Sequence, residues 1–171
     1  MLARLIALLL LSSASAFAAD WRSYDNAGLG YAIELPPEFH LATPSGDTDR
    51  LALSPADRSA TLLVFSTMIA NGDFASEANG RMALAREDGW KISYSKSNSR
   101  GISFSGTRQG RIVYVRGVAL CNGAAAFFQM DYSKTDMQRY DAIVMRLVRS
   151  LRSTRKCTPT AEIVKSFPVT G

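Results

Sequence analysis

The stretch from Gly101 to Leu151 constrains the fold more than any other part of the chain: three apolar strand patterns in succession lead into one amphipathic helix. Ile102 and Phe104 alternate with Ser103 and Ser105, the two-residue period of a strand. A polar turn at Gln109 and Gly110 follows. The run from Arg111 to Leu120 (RIVYVRGVAL) is apolar on both parities, so both of its faces need a cover and it reads as a central strand. Cys121-Asn122-Gly123 makes a tight connection of the Asn-Gly kind, from which Ala124 to Tyr132 returns antiparallel. Ser133, with Asp136 three residues on, matches a capping box that carries aspartate in place of glutamate, and a helix is expected to start there. Met137, Tyr140, Ile143, Val144, Leu147, Val148 and Leu151 gather on one side of that helix, and Arg139, Arg146, Arg149 and Arg152 on the other. The arginines read as a solvated face. A surface that docks anions is the sharper alternative.

The chain starts with one basic residue, Arg4, an apolar run from Leu5 to Leu11, and small residues ending Ala16-Phe17-Ala18. This is the pattern of a secretory signal peptide (1–18) with an A-x-A cleavage site after Ala18. Its apolar run is too short to span a bilayer, and the remainder holds no second segment of spanning length. The mature protein is therefore expected in the periplasm or secreted, as one α+β domain (19–152) with a C-terminal tail (153–171). About 153 residues suffice to bury a core without metals.

Cys121 and Cys157 both fall in the mature part, and an oxidising compartment permits a bridge. The strand after Gly123 runs away from Cys121 and the helix runs back over about 24 Å, so Cys157 can return to Cys121. Closing that loop is worth roughly 3 to 4 kcal/mol in the chain-entropy model. Two buried free thiols are the alternative.

Ahead of the central stretch, Trp21 to Asn26 leads through Ala27-Gly28-Leu29-Gly30 into Tyr31, Ile33 and Leu35, a hairpin ended by Pro36-Pro37. Glu38 to Asp49 is loop-like. Arg50 to Ser54 and Ala60 to Thr67 predict two strands around Pro55-Ala56-Asp57, and Phe74, Ala78, Met82 and Ala85 recur at helical spacing up to Gly89. Gly80 weakens that helix by up to about 1 kcal/mol relative to alanine. Glu87 and Asp88 sit unfavourably where it should end. Lys91 to Ser97 is another strand. The order is hairpin, two strands, helix, four antiparallel strands and closing helix.

On YDNAGLGYAIELPPEF (Tyr24 to Phe39), an aromatic-containing hairpin closed by proline and a large aromatic, and on the final helix from Tyr140 to Leu151, the chain resembles the PsbP-like family from Trp21 to about Arg152. The resemblance implies a single antiparallel sheet of about six to eight strands flanked by two helices, an α/β/α sandwich. It further implies a binding or assembly module and not an enzyme. It carries over no functional residue, and the histidines and extensions behind a photosynthetic role have no match here.

The chemical inventory is thin. His40 is the sole histidine, Asp131 and Asp136 flank the entry to the last helix, and no nucleophile-elbow, zinc-protease, phosphate-loop or dinucleotide motif occurs. No cofactor or metal is expected. Charge is the one global signal: residues 20–80 hold nine acids and three bases, residues 81–171 six acids and sixteen bases. Such asymmetry steers anionic partners over about a Debye length, roughly 8 Å at physiological salt. Lys96, Arg100, Arg108 and Arg111 are the candidates to line an anion-binding edge. Pairing of the acidic and basic halves across the sheet is the competing account. Three functions follow: a non-enzymatic module binding an envelope protein, a binder of anionic envelope polymers such as lipopolysaccharide or acidic polysaccharide, and a hydrolase built from His40 and sheet-end carboxylates. Nucleic acid is a poor partner, because export is expected and no basic motif is interleaved with aromatics.

Overall fold

A computed structural model of the chain describes residues 20–42, 50–69, 73–121 and 123–155. The export segment 1–18, the turn residues Pro44 to Asp47, Asn71-Gly72, Asn122 and Cys157 lie outside the described residues.

The first hairpin forms as its residues dictate. β1 (Arg22–Asn26) and β2 (Tyr31–Leu35) pair antiparallel around a turn in which Gly30 takes φ +80° and Leu29 N–H donates to Asn26 Oδ1 at 3.0 Å. A side chain at that φ would be strained. This hairpin does not join the main sheet. It forms a three-stranded sheet with β10 (Arg152–Ser153), in the order β1-β2-β10.

The main sheet has seven strands, all paired antiparallel: β3 (His40–Leu41), β4 (Arg50–Ser54), β5 (Ala60–Met68), β6 (Lys91–Asn98), β7 (Gly101–Arg108), β8 (Arg111–Ala119) and β9 (Ala124–Ser133). Their order across the sheet is β3-β4-β5-β9-β8-β7-β6. The α+β architecture expected from the strand and helix order is therefore present. The small second sheet completes it.

Side-chain parity shows why β8 and β9 carry apolar residues on both parities. On one face of the sheet, Leu62, Val64, Val118, Phe128, Met130 and Tyr132 pack with Tyr31, Ile33, Leu35 and Phe39 and with the second helix, α2 (Met137–Ser150). On the other, Ile102, Phe104, Val113, Val115 and Phe127 pack with Phe74 and Ala78 of α1 (Phe74–Glu87) and with Trp90. Each central strand thus feeds two cores, one from each of its faces.

α1 starts at Asp73, whose carboxylate accepts the Ser76 N–H at 2.9 Å. That hydrogen bond holds the Asp73 carboxyl below its ordinary range. At the other end Trp90 N–H reaches Ala85 O (3.0 Å) and Gly89 N–H reaches Arg86 O (2.9 Å), with Gly89 at φ +86°, the pattern of a Schellman stop. The acid at this end is offset from an unexpected quarter: Arg108 Nη1 donates to the Asp88 carbonyl at 2.6 Å.

α2 departs from expectation at its start. Lys134–Asp136 forms a 3-10 turn capped by Ser133, whose Oγ accepts the Thr135 N–H at 3.3 Å, and the α-helix begins only at Met137. Asp136 makes no side-chain capping bond, so the expected box is half formed. Met137 consequently sits half exposed, while Tyr140, Val144, Leu147 and Leu151 are buried. Ser150, also buried, is satisfied from both sides: its Oγ donates to Leu147 O and accepts the Glu34 N–H of β2.

The arginine face of α2 is partly structural. Arg146 bonds Glu34 at 2.6 Å and stacks 4.4 Å over the Trp21 ring, and Arg139 bonds Asp57 at 2.8 Å. Arg139 and Ser59 together hold the Asp57 carboxyl well below the usual carboxylate range. Exposed pairs of this kind are each worth only about 0 to 1 kcal/mol.

The first residues past Leu151 stay against the body of the domain. Thr154 N–H donates to Gly30 O at 2.9 Å, and Arg155 Nη2 donates to Ala27 O (2.8 Å) and Gly28 O (3.1 Å), so a guanidinium closes the turn of the first hairpin.

Candidate anion-binding surface

Between Asp88 and Asp131 the chain contains no acidic residue, while Lys91, Lys96, Arg100, Arg108, Arg111 and Arg116 all fall there. Strand order turns this interval into a place. β6, β7 and β8 lie side by side at one edge of the sheet, so the six cations share a single lobe.

Within that lobe the four expected residues separate into two pairs. The β6–β7 turn and the β7–β8 turn are at opposite ends of β7, and eight antiparallel residues span about 24 Å. Lys96 and Arg100 belong to the first end, Arg108 and Arg111 to the second. At the first end Asn98 Oδ1 accepts the N–H groups of Arg100 and Gly101, both at 2.9 Å, which fixes the turn. In the adjoining row Lys96 is opposite Ser103 and Ser103 opposite Arg116, whose Nη1 donates to the buried Ser103 hydroxyl at 3.2 Å.

The second end is concave. A cleft of about 650 Å³ is lined by Arg108 and Arg111, joined by Lys91, Lys134, Asp88 and the Gln109-Gly110 turn. Gln109 (φ 47°) and Gly110 (φ 76°) both have positive φ, the mark of the tight two-residue turn that suits a twisted hairpin. Lys134 N–H donates to Gly110 O at 2.9 Å and brings the start of the 3-10 turn alongside. The Arg108 guanidinium carbon lies 4.4 Å over the Trp90 ring, and Arg111 Nε is held by Asp131 at 2.6 Å. Among the described residues no carboxylate pairs with Lys91, Arg108 or Lys134.

Lys91 and Lys134 were missed as members of the site. The signal for Lys91 was the register of the β6–β7 hairpin, which sets it opposite Thr107 beside Arg108. That for Lys134 was the pairing of Arg111 with Ser133, one residue before it.

The residues of the hydrolase reading do not converge. His40 is exposed on the edge strand β3, beside a shallow cleft of about 550 Å³ whose other polar members include Arg58 and Thr61. Asp131 is on β9, three strand spacings or about 14 Å away, and is occupied by Arg111. Asp136 caps no amide and stands at the start of α2. Among the described residues no three His, Cys, Asp or Glu side chains are grouped so as to hold a metal ion. No helix in them is long and apolar enough to cross a membrane.

No family model and no curated protein matches the sequence. Solved structures do. The cyanobacterial PsbP (CyanoP) of Synechocystis sp. PCC 6803 superposes with a TM-score of 0.60 at 10% identity, over 84% of this chain and 98% of that one. A Pseudomonas aeruginosa protein of unknown function aligns over 80% of this chain and 99% of its own, at 13% identity and a TM-score of 0.46. The seven-stranded sheet with a helix on each face, and the match to nearly the whole of the cyanobacterial protein, identify the architecture as a PsbP-like fold.

Proposed function

We propose that the protein is an exported, non-enzymatic binding module that engages an anionic envelope component through the lobe formed by β6, β7 and β8. The observation that carries this reading is the segregation of charge: six cations and no acid between Asp88 and Asp131, folded into three adjacent strands. Single-sign surfaces raise the local concentration of oppositely charged partners and speed their capture. The signal-peptide pattern at residues 1–18 supports placing that encounter in the periplasm or outside the cell. The PsbP-like likeness supports binding over catalysis, and the separation of His40 from Asp131 agrees with it.

The test is retention of the mature protein on immobilised heparin, a stand-in for an anionic glycan. Retention at low ionic strength, release by salt, and earlier release when Lys91, Lys96, Arg100 and Lys134 are changed to glutamine are the expected results. Passage through the column at low salt would overturn the reading and favour a partner recognised without charge.

The mature domain is further proposed to carry a bridge between Cys121 and Cys157. Cys121 Sγ lies 3.1 Å from the carbonyl oxygen of Arg155, two residues before Cys157, which supports the geometry required. A peptide joining the two cysteines should appear in a non-reducing digest and vanish on reduction. Recovery of both thiols alkylated without reduction would refute the bridge.

A further inference from the structure

We infer that the cleft at the β7–β8 turn is a site for the phosphate monoester of a sugar, a proposal that rests on the anionic reading above and narrows it to one ligand chemistry. Three features of this cleft suit such a ligand. It is concave and, at about 650 Å³, has the size of a site for a small ligand. Three of its four cations are also unspent: Lys91, Arg108 and Lys134 have no carboxylate partner among the described residues, an excess that suits a ligand carrying nearly two negative charges. Its two guanidiniums are preorganised as well, Arg108 by the Trp90 ring and the Asp88 carbonyl, Arg111 by Asp131. Each bond so described uses one of a guanidinium's five N–H donors, and planar forks of this kind bind phosphate oxygens in pairs.

Asp88 adds selectivity. It lines the same cleft, and a carboxylate beside a phosphate site accepts hydrogen bonds but repels a second anion. A sugar phosphate meets both demands, with its phosphoryl group toward Lys91, Arg108 and Lys134 and a ring hydroxyl donating to Asp88. Bare phosphate meets only the first, and a uronic acid supplies a single charge.

The experiment is an amide NMR titration of the mature chain with glucose 6-phosphate, inorganic phosphate and glucuronate. Saturable shifts at Gly89, Gly110 and Lys134 are expected with glucose 6-phosphate, weaker ones with inorganic phosphate and none with glucuronate. Lys91 and Lys134 are exposed, so a Lys91→Gln/Lys134→Gln variant should keep its melting temperature while affinity falls by about tenfold per lysine. Asp88→Asn should erase the preference for glucose 6-phosphate over inorganic phosphate. Equal binding of glucuronate, shifts that never saturate, or an unchanged affinity in the double lysine variant would each overturn the site. Heparin retention together with any of these failures leaves the anionic lobe standing without a sugar-phosphate site. Loss of heparin retention with saturable glucose 6-phosphate binding would instead confine recognition to the cleft.

Discussion

Replacing Tyr140 by alanine is expected to destabilise the protein by about 4 kcal/mol, the range found for removing a large buried ring. The side chain is fully buried between the small sheet and the large one. Its ring lies edge-on to Phe39 at 6.3 Å and 5.2 Å from Tyr132, so the truncation removes two aromatic contacts and leaves a hole bounded by rigid strands. The hydroxyl bonds Ser59, which also bonds Asp57, so the same residue anchors the turn between β4 and β5. For a chain of this size the melting temperature should drop by roughly 8 to 16 °C. Tyr140→Phe isolates the hydroxyl and should cost about 1 kcal/mol. Urea melts of the two variants check the argument, which fails if alanine is no worse than phenylalanine.

The second large effect comes from adding a single methyl group. A Cβ on Gly117 would lie 2.3 and 2.5 Å from two atoms of the Phe127 ring. That ring has nowhere to go, because it is stacked with Phe65 on one contact (5.5 Å, 19°) and Phe74 on another (6.4 Å, 15°). Gly117→Ala should therefore cost about 3 kcal/mol, the upper end of ordinary overpacking penalties. Gly80→Ala is the natural control. Nothing lies within 4 Å of that added methyl in the exposed middle of α1, and it should gain up to about 1 kcal/mol from helix propensity. Chemical denaturation of both variants decides the matter, and a stable Gly117→Ala would mean that the Phe127 stack yields.

Much of this fold is legible in the residues because burial enforces period. The double parity of Arg111 to Leu120 required two covered faces, and the two cores supply them. The stripe on the last helix placed Tyr140, Val144, Leu147 and Leu151 inward, as found. What was not legible depends on pairing at a distance. A two-residue strand such as β3 or β10 has no period to read, and nothing local in Arg152 and Ser153 points to Ala32 and Tyr31 as partners. Met137 was misplaced because a 3-10 turn precedes it, which shifts the phase of the helix.

The candidate site was half legible for the same reason. Positive charge is visible in any reading of the composition, but a hairpin sends successive turns to opposite ends of a sheet. Lys96 and Arg100 were thus grouped with Arg108 and Arg111 by sequence proximity, though a strand's length separates them. Lys91 and Lys134 are far from each other in number and line one cleft only through register.

The pairing of β10 with β2, sealed by Arg155 over the first turn, has a consequence for how the molecule comes into being. A polypeptide emerges amino end first, so β2 must hold one open flank until Arg152 and Ser153 have appeared. Closure of the small sheet then waits on a contact about 120 residues away in the chain, and long-range closure is slow. A ribosome stalled before Arg152 would present Tyr31 and Ala32 without their final neighbour, a half-made product with an unpaired border for quality control to find.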